Sequence, residues 1–152
     1  MQNKTVMIAD DEQRIRKLIS DFLQREGYTI VEADNGQSAL TLLAAEKIDL
    51  VILDVMMPEP DGLTVCREIR KKSSVPIIML TARSEELDQL FAFELGVDEY
   101  VTKPFSPKVL TARVNALFRR LESEKSVERS SNGLNIDTDS RLVSLDAVPL
   151  EL

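Results

Sequence analysis

The chain has 152 residues, enough to bury a full core as one domain plus a fragment, and a second complete domain is not expected. Acidic residues outnumber basic ones, 26 to 19, for a net charge of -7, which argues against a surface that wraps nucleic acid by itself or lies on an anionic membrane. There is no histidine and a single cysteine, Cys66, so an internal disulfide is excluded and a zinc site or a histidine-based triad has almost no material. No signal peptide or bilayer-length apolar run is readable, and a soluble cytoplasmic protein without membrane association is expected.

The first apolar run, residues 4 to 9, ends in Asp10-Asp11, and a helix is predicted over 12 to 26, where Ile15, Leu18, Ile19, Phe22 and Leu23 recur at helical spacing. A strand over 28 to 33 leads to Asn35-Gly36, which opens a helix over 36 to 46. The third strand, 49 to 54, ends in Asp54. After the turn-rich Pro58-Glu-Pro-Asp-Gly62, a helix over 62 to 72 is opened by Asp61-Gly62. The fourth strand, 75 to 81, ends in Thr81 and precedes a helix over 85 to 95. The fifth, 98 to 102, runs into Lys103-Pro104, and Ser106-Pro107 supplies an N-cap and a first-turn proline for a helix over 107 to 121. Strands alternating with helices predict βα units on a parallel sheet covered on both faces. Residues 122 to 133 are polar and lack apolar periodicity, which reads as a linker. Beyond them, Leu134-Asn-Ile-Asp137, Arg141-Leu-Val-Ser-Leu145 and Val148-Pro-Leu-Glu-Leu152 read as short antiparallel strands, the start of a truncated second domain.

Ligands of open α/β sheets bind outside the carboxyl ends of the strands, where strand order reverses. Asp10, Asp11 and Asp54 meet there if the first and third strands are neighbours. Three carboxylates together repel unless a hard divalent cation sits among them, and an all-oxygen donor set favours Mg²⁺ or Mn²⁺ over zinc. One carboxylate can then act as a nucleophile on phosphorus. Phosphoryl transfer needs charge neutralised at the equatorial oxygens, for which the metal, the Thr81 hydroxyl and the Lys103 ammonium are available. Each residue also has a plainer reading. Asp10 or Asp11 could cap the following helix, Asp54 could be a turn residue, Thr81 a strand-end hydroxyl and Lys103 a surface lysine. Their joint occurrence at successive strand ends favours a site.

Asp10-Asp11, Leu53-Asp54-Val-Met-Met-Pro58 with Asp61-Gly62, Leu80-Thr81-Ala82 and Asp98-Glu-Tyr-Val-Thr-Lys103-Pro104-Phe105 resemble the receiver domain of two-component response regulators over about residues 4 to 121. The resemblance implies a doubly wound, flavodoxin-like (βα)5 domain over 1 to 121, with strand order 2-1-3-4-5. It implies that Asp54 is the phosphoacceptor and that Asp10, Asp11, Asp54 and the backbone carbonyl of Met56 hold Mg²⁺. Lys103 would pair with the phosphoryl group, and Thr81 and Tyr100 would be switch residues. The stretch from Asp98 to Lys108, with Ala112-Arg113, Arg119-Arg120 and the tail over 134 to 152, is similar to the OmpR/PhoB class, whose receivers precede a winged-helix DNA-binding domain. A sensor histidine kinase is then the implied phosphodonor, and promoter DNA would be bound through a C-terminal domain not contained in these residues.

In that class the face of the fourth helix, fifth strand and fifth helix makes a symmetric dimer. Glu94, Asp98, Glu99 and Arg113 stand at positions for charge pairs across it. The class usually carries a basic residue where this chain has Phe91 and an acidic one where it has Val109, so an ion pair looks replaced by an apolar contact. Leu90, Phe93 and Val97 form one stripe of the fourth helix, and Leu87, Phe91 and Leu95 another on a nearly opposite side. One should face the sheet; the other is either covered by the fifth helix or exposed as an interface.

Three other functions compete. An aspartate-nucleophile hydrolase of the haloacid dehalogenase type usually has a second aspartate two residues after the first, where this chain has Met56. A flavodoxin-like cofactor binder would want a Gly- and Ser/Thr-rich phosphate cradle that the βα turns lack. A degenerate receiver serving only as an interaction module is disfavoured by the complete set of chemical positions.

Overall fold

The computed structural model describes residues 4–58, 60–82 and 85–131. Five strands, β1 (Thr5–Ala9), β2 (Thr29–Ala33), β3 (Leu50–Leu53), β4 (Ile77–Thr81) and β5 (Glu99–Thr102), alternate with α1 (Gln13–Arg25), α2 (Gly36–Ala45), α3 (Gly62–Lys72), α4 (Glu86–Leu95) and α5 (Pro107–Ser131). All strands are parallel, in the order β2-β1-β3-β4-β5. The chain divides into two compact units, Met1–Arg113 and Val114–Leu152, and every residue of the candidate site lies in the first.

Position in the sheet explains the strand sequences. The central strands β3 and β4 are buried at every residue and carry unbroken apolar runs, because a strand covered on both faces has no solvent side. The edge strands β2 and β5 are partly exposed and admit Thr29, Glu32 and Glu99. The predicted helix starts are borne out by their caps. Asn35 Oδ1 accepts from the Ser38 amide at 2.8 Å, Asp61 Oδ1 from Thr64 at 2.9 Å and Ser106 Oγ from Val109 at 3.2 Å. At the end of α4, Gly96 takes the left-handed conformation (φ 102°) that closes the helix.

Two elements differ from expectation. Helix α5 continues to Ser131, into the stretch expected as linker from 122. Glu, Lys and Arg are good helix formers and propagate an existing helix without an apolar stripe. The C-terminal strands expected over 134 to 152 lie outside the described residues. On α4 the described apolar residues do not divide into an inner and an outer stripe. Small Ala92 is fully buried, Leu95 is half-buried against the core and Val97, just past the helix, is buried, whereas Leu90, Phe91 and Phe93 are 52%, 44% and 47% exposed. A helix that turns an alanine inward leaves its large side chains outside.

Candidate functional site

Strand register alone brings Asp10 and Asp54 together. Ala9 is level with Leu53, the Asp54 amide donates to the Ala9 carbonyl at 2.9 Å, and the Asp10 amide donates to Ala33 of β2 at 3.1 Å. The next residues of β1 and β3 therefore leave the sheet side by side at the point where strand order reverses. One carboxylate oxygen from each of Asp10, Asp11 and Asp54 falls within 4.8 Å of the others, the first and third residues buried and Asp11 exposed. From the other side, the Lys103 amide donates to the Thr81 carbonyl at 2.8 Å, which carries the lysine back across the strand ends. Its Nζ lies 2.9 Å from Asp10 Oδ2 and 3.2 Å from Asp54 Oδ2. Thr81 is fully buried at the end of β4, and Tyr100 packs partly buried against the core from β5.

The plainer readings are also answered. Helix α1 has Glu12 as N-cap with no side-chain cap bond, so neither aspartate caps it; Asp10 Oδ1 instead accepts from the Glu12 amide at 2.9 Å. Asp54 does make the local turn bond expected of a turn residue, Oδ1 accepting from Met56 N at 3.0 Å, while its other oxygen faces Lys103. Met56 directs its side chain to solvent, 56% exposed.

Burial drives the pKa of Asp54 up; the Met56 amide and Lys103 oppose this, and the Asp10 charge adds to it. For Lys103 burial works against the ammonium, but the hydrogen bond to Asp10 and the charges of Asp54 and Asp10 outweigh it, and its pKa rises as well. Both partners hold protons more tightly than they would free in water. A simple ion pair would lower the acid; here burial outweighs the ammonium, and the second carboxylate, Asp10, adds to the rise. An oxygen-only, partly dehydrated carboxylate set with surplus negative charge fits a hard divalent cation.

Arg16 is a site residue that periodicity did not single out. Its Nη1 donates to the Asp10 carbonyl at 2.8 Å and its Nε pairs with Glu32 Oε1 at 2.9 Å. The signal was present: Arg16 shares the helix register of Ile19, Ser20 and Leu23, the three residues that α1 buries. A cation at an inward position asks for a partner.

The expected interface residues scatter. Phe91, Glu94 and Val109 are exposed, whereas Leu95 is partly buried. Asp98 is exposed but engaged within the chain, its carboxylate accepting from Ile77 N at 2.9 Å and from Arg70 at 3.3 Å. Glu99 pairs with Arg113 of the same chain at 3.0 Å. The side chain of Leu87 is outside the described set.

Two buried aspartates, an exposed third and a lysine gather at the switch point of a doubly wound sheet, the arrangement of a receiver domain. The chain belongs to the response regulator receiver domain family, whose model matches residues 6–115. It is 41% identical to the transcriptional regulatory protein ResD of Bacillus subtilis, over 97% of this chain and 65% of that protein. It is 46% identical to the probable transcriptional regulator ycf27 of Cyanophora paradoxa, over 90% of this chain and 57% of that protein. Among solved structures it resembles the receiver domain of the Francisella response regulator 1452, with TM-score 0.75, 33% identity, and coverage of 78% of this chain and 99% of that one. Both curated relatives are transcriptional regulators, and the chain spans 65% and 57% of their respective lengths.

Proposed function

We propose that this chain is the switch of a transcription regulator, taking a phosphoryl group from a sensor histidine kinase onto Asp54. The observation that carries the reading is the arrangement of Asp10, Asp11 and Asp54 within 4.8 Å, with Lys103 touching two of them. A carboxylate oxygen of Asp54 attacks phosphorus, the bond from phosphorus to the donor's nitrogen or oxygen breaks, and the leaving group departs with its electron pair. Asp10, Asp11, Asp54 and the Met56 carbonyl would hold Mg²⁺ or Mn²⁺, which would supply charge neutralisation for the phosphoryl oxygens. Lys103 pairs with another of those oxygens. The Thr81 hydroxyl turns toward the modified aspartate, and Tyr100 follows from β5. Met56, where a dehalogenase-type hydrolase would carry its acid–base aspartate, supports a slow self-hydrolysis and a signalling lifetime over turnover.

The output is a symmetric dimer through the α4-β5-α5 face. Exposed Leu90, Phe91, Phe93 and Val109 support a contact more apolar and less salt-sensitive than charge pairs alone. Promoter binding belongs to a winged-helix domain that follows the receiver in the chain, beyond the end of α5 at Ser131. Among the described residues no helix is long and apolar enough to cross a membrane.

Intact mass and size-exclusion profiles with Mg²⁺ and phosphoramidate, or with beryllofluoride, test the reading on this chain and on Asp54→Ala. An adduct that requires Asp54 and converts monomer to dimer is expected. A dimer in every condition with no adduct would instead favour a constitutive interaction module.

A further inference from the structure

Asp10 is held at every polar atom. Its amide donates to Ala33, Oδ1 accepts from Glu12 N and Oδ2 faces Lys103, which leaves its carbonyl to Arg16. The Arg16 side chain is only 14% exposed and reaches from α1 under the β1–α1 turn to Glu32 on β2. A guanidinium is planar and presents several donors in a fixed fork, so one group serves a carbonyl and a carboxylate at once; a lysine serves them less well.

We infer that Arg16 and Glu32 are a positioning pair that fixes the Asp10 peptide, and with it the Asp10–Asp11 turn, for divalent-cation binding. The inference rests on the reading of this site as a phosphoacceptor centre. Two opposite contributions are in play. A bare cation close to the site repels Mg²⁺, so an Arg16 acting only through charge weakens metal binding, and its removal tightens it. A hydrogen bond that fixes the ligand's backbone strengthens metal binding, and its loss weakens it. Glu32 decides between them, because it neutralises the guanidinium while orienting it. What remains at Asp10 is mainly the hydrogen bond. Partners one step behind a metal ligand typically change affinity by about 10- to 100-fold.

The test is a Mg²⁺ titration by calorimetry of the chain and of Arg16→Met, Arg16→Lys and Glu32→Gln, with phosphoramidate phosphorylation followed against Mg²⁺ concentration. Arg16→Met keeps the apolar stem and should weaken Mg²⁺ by about tenfold. Arg16→Lys should fall between it and the parent, and Glu32→Gln should weaken binding in the same direction. The half-saturating Mg²⁺ for phosphorylation should rise in step while the plateau rate holds, which a general loss of structure would not produce. Unchanged or tighter Mg²⁺ binding in Arg16→Met overturns the inference. Should that variant fail to fold, unchanged affinity in both Arg16→Lys and Glu32→Gln overturns it. A parent chain that takes up neither Mg²⁺ nor phosphoryl would instead remove the functional reading beneath it.

Discussion

Gly62 opens α3 directly beneath the acceptor. A Cβ built there would lie 2.7 Å from Val55 Cα and 2.8 Å from the Asp54 carbonyl carbon, with the Asp54 carbonyl oxygen closer still. All three are backbone atoms and cannot rotate away. Ordinary carbon–carbon contact begins near 3.5 Å, so Gly62→Ala must push the start of α3 and the Asp54–Val55 backbone apart by at least about 0.8 Å. The shift is opposed by the Gly62 amide's bond to the Val55 carbonyl at 3.0 Å and by the Asp61 cap. Overpacking of this kind costs about 1–3 kcal/mol, against roughly 0.4–1 kcal/mol regained because alanine restricts the unfolded chain. The net expectation is a loss of about 1–2 kcal/mol in urea unfolding. Because the displaced backbone carries the nucleophile, phosphorylation by phosphoramidate at saturating Mg²⁺ should slow far more, by up to about 100-fold. Gly36→Ala supplies the control, since its Cβ would meet Pro60 of the β3–α3 loop rather than Asp54. It should destabilise comparably and leave the chemical step much less affected. Equal rate losses in the two variants, or a Gly62→Ala chain with unaltered rate and stability, would refute the reasoning.

The raised pKa of Asp54 has a definite sign in the pH dependence of stability. Stability from its protonation is present below the unfolded value of 3.8 and is lost as pH rises through the higher folded value. Asp54→Asn, which cannot ionise, should gain on the metal-free parent from pH 4 upward in urea titrations; a gap that narrows as pH rises contradicts this. Lys103→Met leaves Asp10 and Asp54 without their ammonium, which competes with a metal for the same oxygens. The variant should lose about 3 kcal/mol without metal, bind Mg²⁺ more tightly in calorimetry, and still phosphorylate more slowly than the parent. Weaker Mg²⁺ binding would mean the lysine organises the carboxylates instead. Phe91→Lys should lower self-association of the beryllofluoride-treated chain by about tenfold in analytical ultracentrifugation, as expected for a buried aromatic anchor, and an unchanged dimer constant counts against the apolar face.

How much of the fold was legible follows from what each residue answers to. The central strands are written as unbroken apolar runs because both their faces are buried, and Asn35, Asp61 and Ser106 mark helix starts through bonds made within three residues of themselves. Asp10, Asp54, Thr81 and Lys103 were readable because a parallel sheet puts successive strand ends on one edge whatever the helices do. Helix α4 was not readable in the same way. Its apolar residues lie on most of its circumference, so periodicity could not choose the inner side, and the choice fell to Ala92, whose small side chain lets the backbone approach the core. The outer end of α5 escaped for the opposite reason, since propensity without an apolar stripe looks the same in a helix as in a linker.

Long-range pairs are the remaining class, and they show how the site's charge is balanced. Arg16–Glu32 and Arg70–Asp98 join residues 16 and 28 positions apart, and no local pattern announces them. Both arginines also bind backbone carbonyls: Arg16 that of Asp10, Arg70 those of Val75 and Gly96. Each therefore meets its charge with a carboxylate outside the site and spends its remaining donors on holding a loop. Among the described residues, Lys103 is the cation that delivers its charge to the carboxylates of Asp10 and Asp54. One ammonium against three carboxylates leaves the pocket negative, which is the condition for a divalent cation to enter. Bringing another cation's charge to the pocket would stabilise the empty site and weaken metal binding, so keeping Arg16 neutralised by Glu32 is what allows it to serve Asp10 without competing for it.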